Sequence, residues 1–259
     1  MAGAGALALK TFADFDSTIT MAGLKAGATA EEMEQMRKVA AAIGRDFPIS
    51  ANDAAKAMDR LAASGLNASQ ATASLPGIVT AAVASGEDLG ATADVITSAM
   101  STYKMMTGDV GANAAKVADI IQMAANRSKL DMAAFGTAMQ YAGAPANALG
   151  VDIESLATAM GVMANNGIEA STIGTSLRST LSRLASPPKE AANAIALLGL
   201  KTKDASGNFV GLDNIIGQMR AAMNGMNNTQ QVALAKAIAG EDAYSGLLAL
   251  IKTAPSDSE

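Results

Sequence analysis

The chain contains no histidine, no cysteine and no tryptophan, and only 3 % of its residues are aromatic. Without histidine it has no side chain whose unperturbed pKa suits general-base work at neutral pH, and no imidazole metal ligand. Without cysteine there is no disulfide, no thiolate zinc site and no thiol nucleophile, and the redox compartment is left open. Lysines and arginines never cluster beyond the adjacent pair Arg37-Lys38, and net charge is −5. A duplex-DNA footprint needs a basic face, so specific nucleic-acid binding is not expected. No apolar run approaches the ~18 to 20 residues that span a bilayer, so no transmembrane segment is expected. The opening MAGAGALALK is too short, and charged too early, for a signal peptide. These absences predict a soluble or assembly-bound chain.

What is present is small and flexible. Half of the 259 residues are hydrophobic, and Ala, Gly and 16 Met carry that content. Small residues let helices approach closely, and Met fills irregular gaps. The spacing predicts an all-α fold, an irregular array of about a dozen short amphipathic helices. Leu89, Ala93, Ile96, Met100 and Tyr103 recur at helical intervals up to a stop at Gly108. Thr29 with Glu32 forms a capping box, and Gly44 closes the helix that follows. Ser50 and Asp53 open the next helix, and Ser128 and Asp131 another. Pro76 reads as the first position of a new helix, and Gly143-Ala144-Pro145 as an interruption.

From Leu149 to Pro187 two helices are expected to pack antiparallel, one lined by Leu156, Met160 and Met163, the other by Ile173, Leu177, Leu181 and Leu184. Between 200 and 210, Asp204-Ala205-Ser206-Gly207 predicts a small β-hairpin. Helices follow through Ile215, Met219 and Met223, from Thr229 to Ile238, and from Tyr244 to Ile251, before a polar tail at Pro255–Glu259. Gly-containing turns recur, but no side-chain signature returns at a fixed period. The expected division is an N-terminal helix over 1–27 that ends a longer helical region, a helical core over 28–199, and a hairpin with C-terminal helices over 200–259.

Candidate chemistry is confined to carboxylates, Lys, Ser and Tyr. Asp14/Asp16, Asp152/Glu154 and Glu241/Asp242 are acid pairs of the kind that hydrolyse glycosides when held across a cleft. Each pair lies within two residues at a helix start or on an exposed face, which capping and the helix dipole explain. Gly3-Ala4-Gly5 lacks the preceding strand that a dinucleotide fingerprint requires. Arg178, Arg183 and Lys189 read as a small basic rim or a solvated face, and the Met-rich faces as core filler. No catalytic, cofactor-binding or metal residue is expected, and no cofactor.

Several stretches carry a resemblance: KTFADFDSTIT from Lys10, EEMEQMRKVA from Glu31, ISANDAAKAMDRLAASGL from Ile49 and LPGIVTAAVASGEDLGATADVI from Leu75. NNGIEASTIGTSLRSTLSRLASPPKEAANAI from Asn165, DASGNF at Asp204 and SGLLALI at Ser245 complete the set. In this order, over nearly the whole chain, they resemble the core of phage-tail tape measure proteins, which also occur in prophages. The resemblance implies a structural, non-enzymatic role. Such proteins set tail length and fill the tail lumen, with the tube protein polymerising around them. It implies homo-oligomers, with the tail tube protein, tail-assembly chaperones and tail-tip or baseplate proteins as partners. It places the protein in the virion tail lumen, and in the host cytoplasm during assembly.

Even as one unbroken helix this chain would reach only roughly 390 Å at ~1.5 Å per residue. Its frequent Gly and Pro interruptions suit the compact core of a larger protein, or a truncated prophage remnant, better than a rod. Two other readings remain: a cell-wall hydrolase using Asp152/Glu154 or Glu241/Asp242, and a membrane-active helical protein assisting genome entry.

Overall fold

The computed structural model describes residues 2–253, with side chains from residue 10 onward. The expected polar tail at Pro255–Glu259 lies outside the described residues. Among the described residues there are thirteen α-helices and no strand, so the fold is all-α. The chain divides into two compact units, Met1–Gln122 and Met123–Glu259.

The first unit holds α1 (Ala2–Lys25), α2 (Ala30–Asp46), α3 (Ala51–Ala63), α4 (Ala68–Ser85) and α5 (Leu89–Thr102), and α6 (Val110–Arg127) begins in it. Alternate helices lie side by side: α1, α3 and α5 form one row, and α2 packs on α4. This is the layering of a helical solenoid, in which each hairpin buries its apolar stripe against its neighbours. Ion pairs cross the odd row in register. Lys25 Nζ of α1 lies 2.7 Å from the Asp59 carboxylate of α3, and the adjacent Arg60 pairs with Asp94 of α5. Close approach between α4 and α6 rests on small residues: Cβ atoms added at Gly77 and Gly111 would stand 3.1 Å from Ala115 Cα and 3.0 Å from Ala73 Cβ.

In the second unit α7 (Met132–Ala148) packs on α9 (Ala170–Ala185), and α8 (Ile153–Asn165) touches both. α10 (Lys189–Leu197) lies on α12 (Asn228–Ala239), which also meets α9 and α13 (Tyr244–Lys252). α11 (Leu212–Met223) meets α13, which in turn packs on α8 and α9.

One connector is used repeatedly. At Gly65 and Gly150 the backbone is left-handed (φ 96° and 72°), which a side chain would strain. The next N–H then reaches back over the helix end, Leu66 to Leu61 O at 3.2 Å and Val151 to Ala146 O at 2.9 Å. The residue after that caps the following helix, Asn67 accepting from Gln70 N and Asp152 from Ser155 N. Stop and start signals thus occupy three consecutive residues. The same device helps make α3–α5 and α7–α9 alike in order and packing. Ser50 and Asp131, Gly65 and Gly150, Asn67 and Asp152, and Gly86 and Gly167 take matching positions at the turns. The recurrence sits in turn chemistry rather than in one fixed side-chain period, and one helix of each triplet is a turn longer than its counterpart.

Several local expectations are corrected. Pro76 lies inside α4, not at its start. Ala71, Leu75, Ile78, Val79 and Ala82 are all buried on both sides of it, and that continuous burial outweighs the roughly 3 kcal/mol a mid-helix proline costs. Pro145 likewise lies within α7, where Ala142 and Ala146 are wholly buried. Gly44 lies inside α2 rather than closing it; a Cβ there would stand 2.7 Å from Ala51 N.

α5 ends well before Gly108. Lys104 takes the left-handed position (φ 58°) and Met105 N bonds Met100 O at 2.8 Å, so a lysine does there what glycine usually does. The hairpin near 200–210 reduces to a single antiparallel bridge, Lys203 with Phe209. Asp204 explains why: its carboxylate accepts from the Ser206 and Asn208 N–H groups and draws the chain into a tight loop. Finally, α9 makes its broadest contact with α7 rather than with α8.

Candidate functional site

The acid pairs do not assemble into a catalytic pair. Asp16 Oδ1 accepts from Arg37 at 2.7 Å, tying α1 to α2, while the Asp14 backbone carbonyl accepts from Thr18. Asp152 Oδ1 caps α8, accepting from Ser155 N at 2.6 Å. Glu241 accepts from Lys236 Nζ at 2.6 Å, and that ammonium lies 4.7 Å from the centre of the Tyr244 ring. The hydrogen bond to Glu241 raises the Lys236 pKa, since the charged form is the one bonded. Asp242 is exposed in the link between α12 and α13.

Glu154 has another setting. It lines a groove of about 380 Å³ bounded by α8, α11 and α13, with Ala159, Val162, Leu212 and Ile216 as its apolar wall. Asp213, which nothing along the chain singles out, lies on the facing helix and accepts a hydrogen bond from Ser155 Oγ. Arg220 also lines the groove, yet its guanidinium donates to the Ile251, Leu250 and Thr253 carbonyls at the end of α13. Ser155, Asp213 and Arg220 are occupied in joining helices. Among the described residues no group of three or more acidic side chains is placed to hold a metal ion.

The basic rim is also dispersed. Arg178 stacks over Tyr141 of α7 with 5.8 Å to the ring centre. Arg183 reaches from α9 to the end of α12, Nε to Ile238 O at 2.8 Å and Nη2 to Ala237 O at 3.1 Å, and Ser179 Oγ bonds Ala239 O alongside. Lys189 begins α10. The last carbonyls of a helix carry negative dipole charge and lack internal partners, so an arginine fork satisfies both needs. Arg183 and Arg220 therefore serve as C-terminal caps for α12 and α13, a role invisible without the fold because each capped helix lies far along the chain.

Most methionine side chains on the helix faces are core, Met21 and Met123 being half exposed. Met36, Met58, Met100, Met160, Met163 and Met219 are fully buried. Among the described residues no helix is long and apolar enough to cross a membrane.

Comparison with known proteins agrees with a framework built for packing. A family model described as "Phage-related minor tail protein" matches residues 37–240. The "Tape measure protein" of Pneumococcus phage Dp-1 is 30 % identical over 253 residues, 98 % of this chain and 22 % of that protein. The "Probable tape measure protein" of Escherichia phage P2 is 31 % identical over 225 residues, 86 % of this chain and 27 % of that protein. The chain thus spans about a quarter of the length of these relatives. No solved structure matches. With the family match covering most of α2 through α12, the chain belongs to the phage-related minor tail protein family.

Proposed function

We propose that this chain is the compact helical core of a tape measure protein, a structural component of a phage or prophage tail rather than an enzyme. The observation that carries the reading is the match of family and relatives along the length of the chain. The use of its acids and arginines as caps and inter-helix ties supports it, because few charged groups are left gathered for chemistry. No residue is assigned a catalytic, cofactor or metal role. In this reading the full-length protein sets tail length, occupies the tail lumen, and meets the tube protein, assembly chaperones and the tail tip. It is present in the host cytoplasm during assembly and afterwards in the virion.

The core itself is not the measuring rod. Its longest helix, α1, has 24 residues, about 36 Å at ~1.5 Å per residue, and α2 folds back after a single turn. Length would then be set by other parts of the full-length protein, with this core as a folded station along it. The test is an in-frame deletion of residues 37–240 from the full-length gene. Failure to form complete tails is the expected result; normal tails on infectious particles would overturn the reading.

A further inference from the structure

The pair Asn-Gly occurs twice in the chain, at Asn166-Gly167 and Asn224-Gly225. In such a pair the glycine, lacking a Cβ, lets its backbone nitrogen approach the asparagine side chain closely. That nitrogen is then able to attack the amide carbon Cγ and expel ammonia. Both pairs are exposed, and each begins directly after a helix, α8 in one case and α11 in the other. Residue type and accessibility therefore do not distinguish them, whereas hydrogen bonding does.

At the end of α8 both reacting groups are held. Asn166 Nδ2 donates to Val162 O at 2.9 Å, and the Gly167 N–H donates to Ala164 O at 2.9 Å. Ile168 N reaches back to Met163 O at 3.2 Å and closes the turn over the glycine. At the end of α11, among the described residues, neither the Asn224 side chain nor the Gly225 N–H has a hydrogen-bond partner. That turn is held from its flanks instead. Met226 N bonds Met223 O at 3.1 Å, and Gln231 Nε2 donates to Met226 O at 3.2 Å. Asn224 also has an extended backbone (φ −63°, ψ 129°), while Asn166 stays near the helical region (φ −84°, ψ 10°).

We propose that Asn224 is a site of spontaneous deamidation in the folded chain, and that the fold protects Asn166. The Gly225 nitrogen bonds to Asn224 Cγ as the Cγ–Nδ2 bond breaks. The departing amino group takes the proton that the Gly225 nitrogen gives up and leaves as ammonia. Water then adds across either C–N bond of the cyclic imide, giving aspartate or isoaspartate at position 224. Either product sets a negative charge beside the last carbonyls of α11, the negative end of that helix dipole. Isoaspartate also lengthens the link between α11 and α12 by a methylene group. The inference goes beyond the tail reading and does not rest on it.

The test needs only the native chain. It is incubated at mildly alkaline pH, folded in buffer and unfolded in urea, and sampled over time. Peptide mass spectrometry with fragmentation follows conversion of amide to acid at each pair. The readout is each pair's folded rate divided by its own rate in urea, which cancels the influence of neighbouring residues. Asn224 is expected to keep its unfolded rate within a few-fold. Asn166 is expected to slow by at least about tenfold, or ~1.36 kcal/mol, the scale of one or two net hydrogen bonds. A slowing at Asn224 that equals or exceeds that at Asn166 would overturn the proposal.

Discussion

Gly174 of α9 crosses Ala138 of α7 so closely that a Cβ added at 174 would stand 2.6 Å from the Ala138 carbonyl oxygen and 3.0 Å from its Cα. The obstacle is backbone within a helix and has no rotamer to change. Gly174→Ala therefore forces α9 away from α7, and overpacking of this kind costs about 1 to 3 kcal/mol. Gly217 in α11 is the internal control, since nothing lies within 4 Å of its added Cβ. Gly217→Ala should stabilise by roughly 0.5 to 1 kcal/mol through helix propensity. Urea denaturation of the two variants is expected to give shifts of opposite sign.

Arg183 gives the second prediction. Arg183→Met removes the charged donors from the Ala237 and Ile238 carbonyls, and hydrogen bonds to charged groups are worth about 1.5 to 3 kcal/mol. Arg183→Lys keeps the charge but loses the fork, so it should recover only part of that stability. Arg220→Met should behave in the same way at the end of α13. Amide exchange is expected to quicken first in α12 for one variant and in α13 for the other. Global destabilisation with unchanged local exchange would argue against the capping role.

The ion pairs across α1, α3 and α5 should contribute little. Lys25 and Asp59 are partly exposed, and Arg60 and Asp94 half-exposed. A double-mutant cycle on Arg60 and Asp94 is expected to give a coupling below about 1 kcal/mol, and to shrink with added salt. Their role is register between neighbouring helices rather than strength.

Acid should loosen two particular turns. Asp204 is held below its usual pKa chiefly by the backbone N–H of Asn208, and Asp53 chiefly by the Ser50 hydroxyl. Both carboxylates have a lower pKa folded than unfolded, so their contribution is present above the unfolded value of ~3.9 and is lost as pH falls through the folded value. Side-chain and amide NMR shifts at 203–209 and at the start of α3 should titrate below about pH 4. Asp204→Asn and Asp53→Asn should remove that dependence at their own sites.

Much of this fold was legible because its helices carry their boundaries locally. Thr29 with Glu32, Ser50, Asp131 and Asp152 cap helices in the structure where a small polar residue precedes an apolar stripe. Legibility failed where distant packing overrides local chemistry. Pro76 and Pro145 are carried within helices because burial on either side holds them there. Lys104 ends α5 without the glycine that would have announced it. Nothing along the chain distinguishes Gly174 from other helical glycines, and only the crossing with Ala138 shows what it permits. Of the candidate acids, local position accounts for Asp152, whereas the pairing of Asp213 with Ser155 joins residues from different helices and has no signature along the chain.

The proposed residence of this core inside a tail is open to cross-linking mass spectrometry on intact, purified tails. Lys38, Lys56 and Lys189 are exposed and suit an amine-reactive linker. Cross-links from these lysines to the inner face of the tube protein or to tail-tip proteins are predicted. Cross-links only to capsid or outer-surface proteins, or absence of this segment from intact tails, would contradict the account.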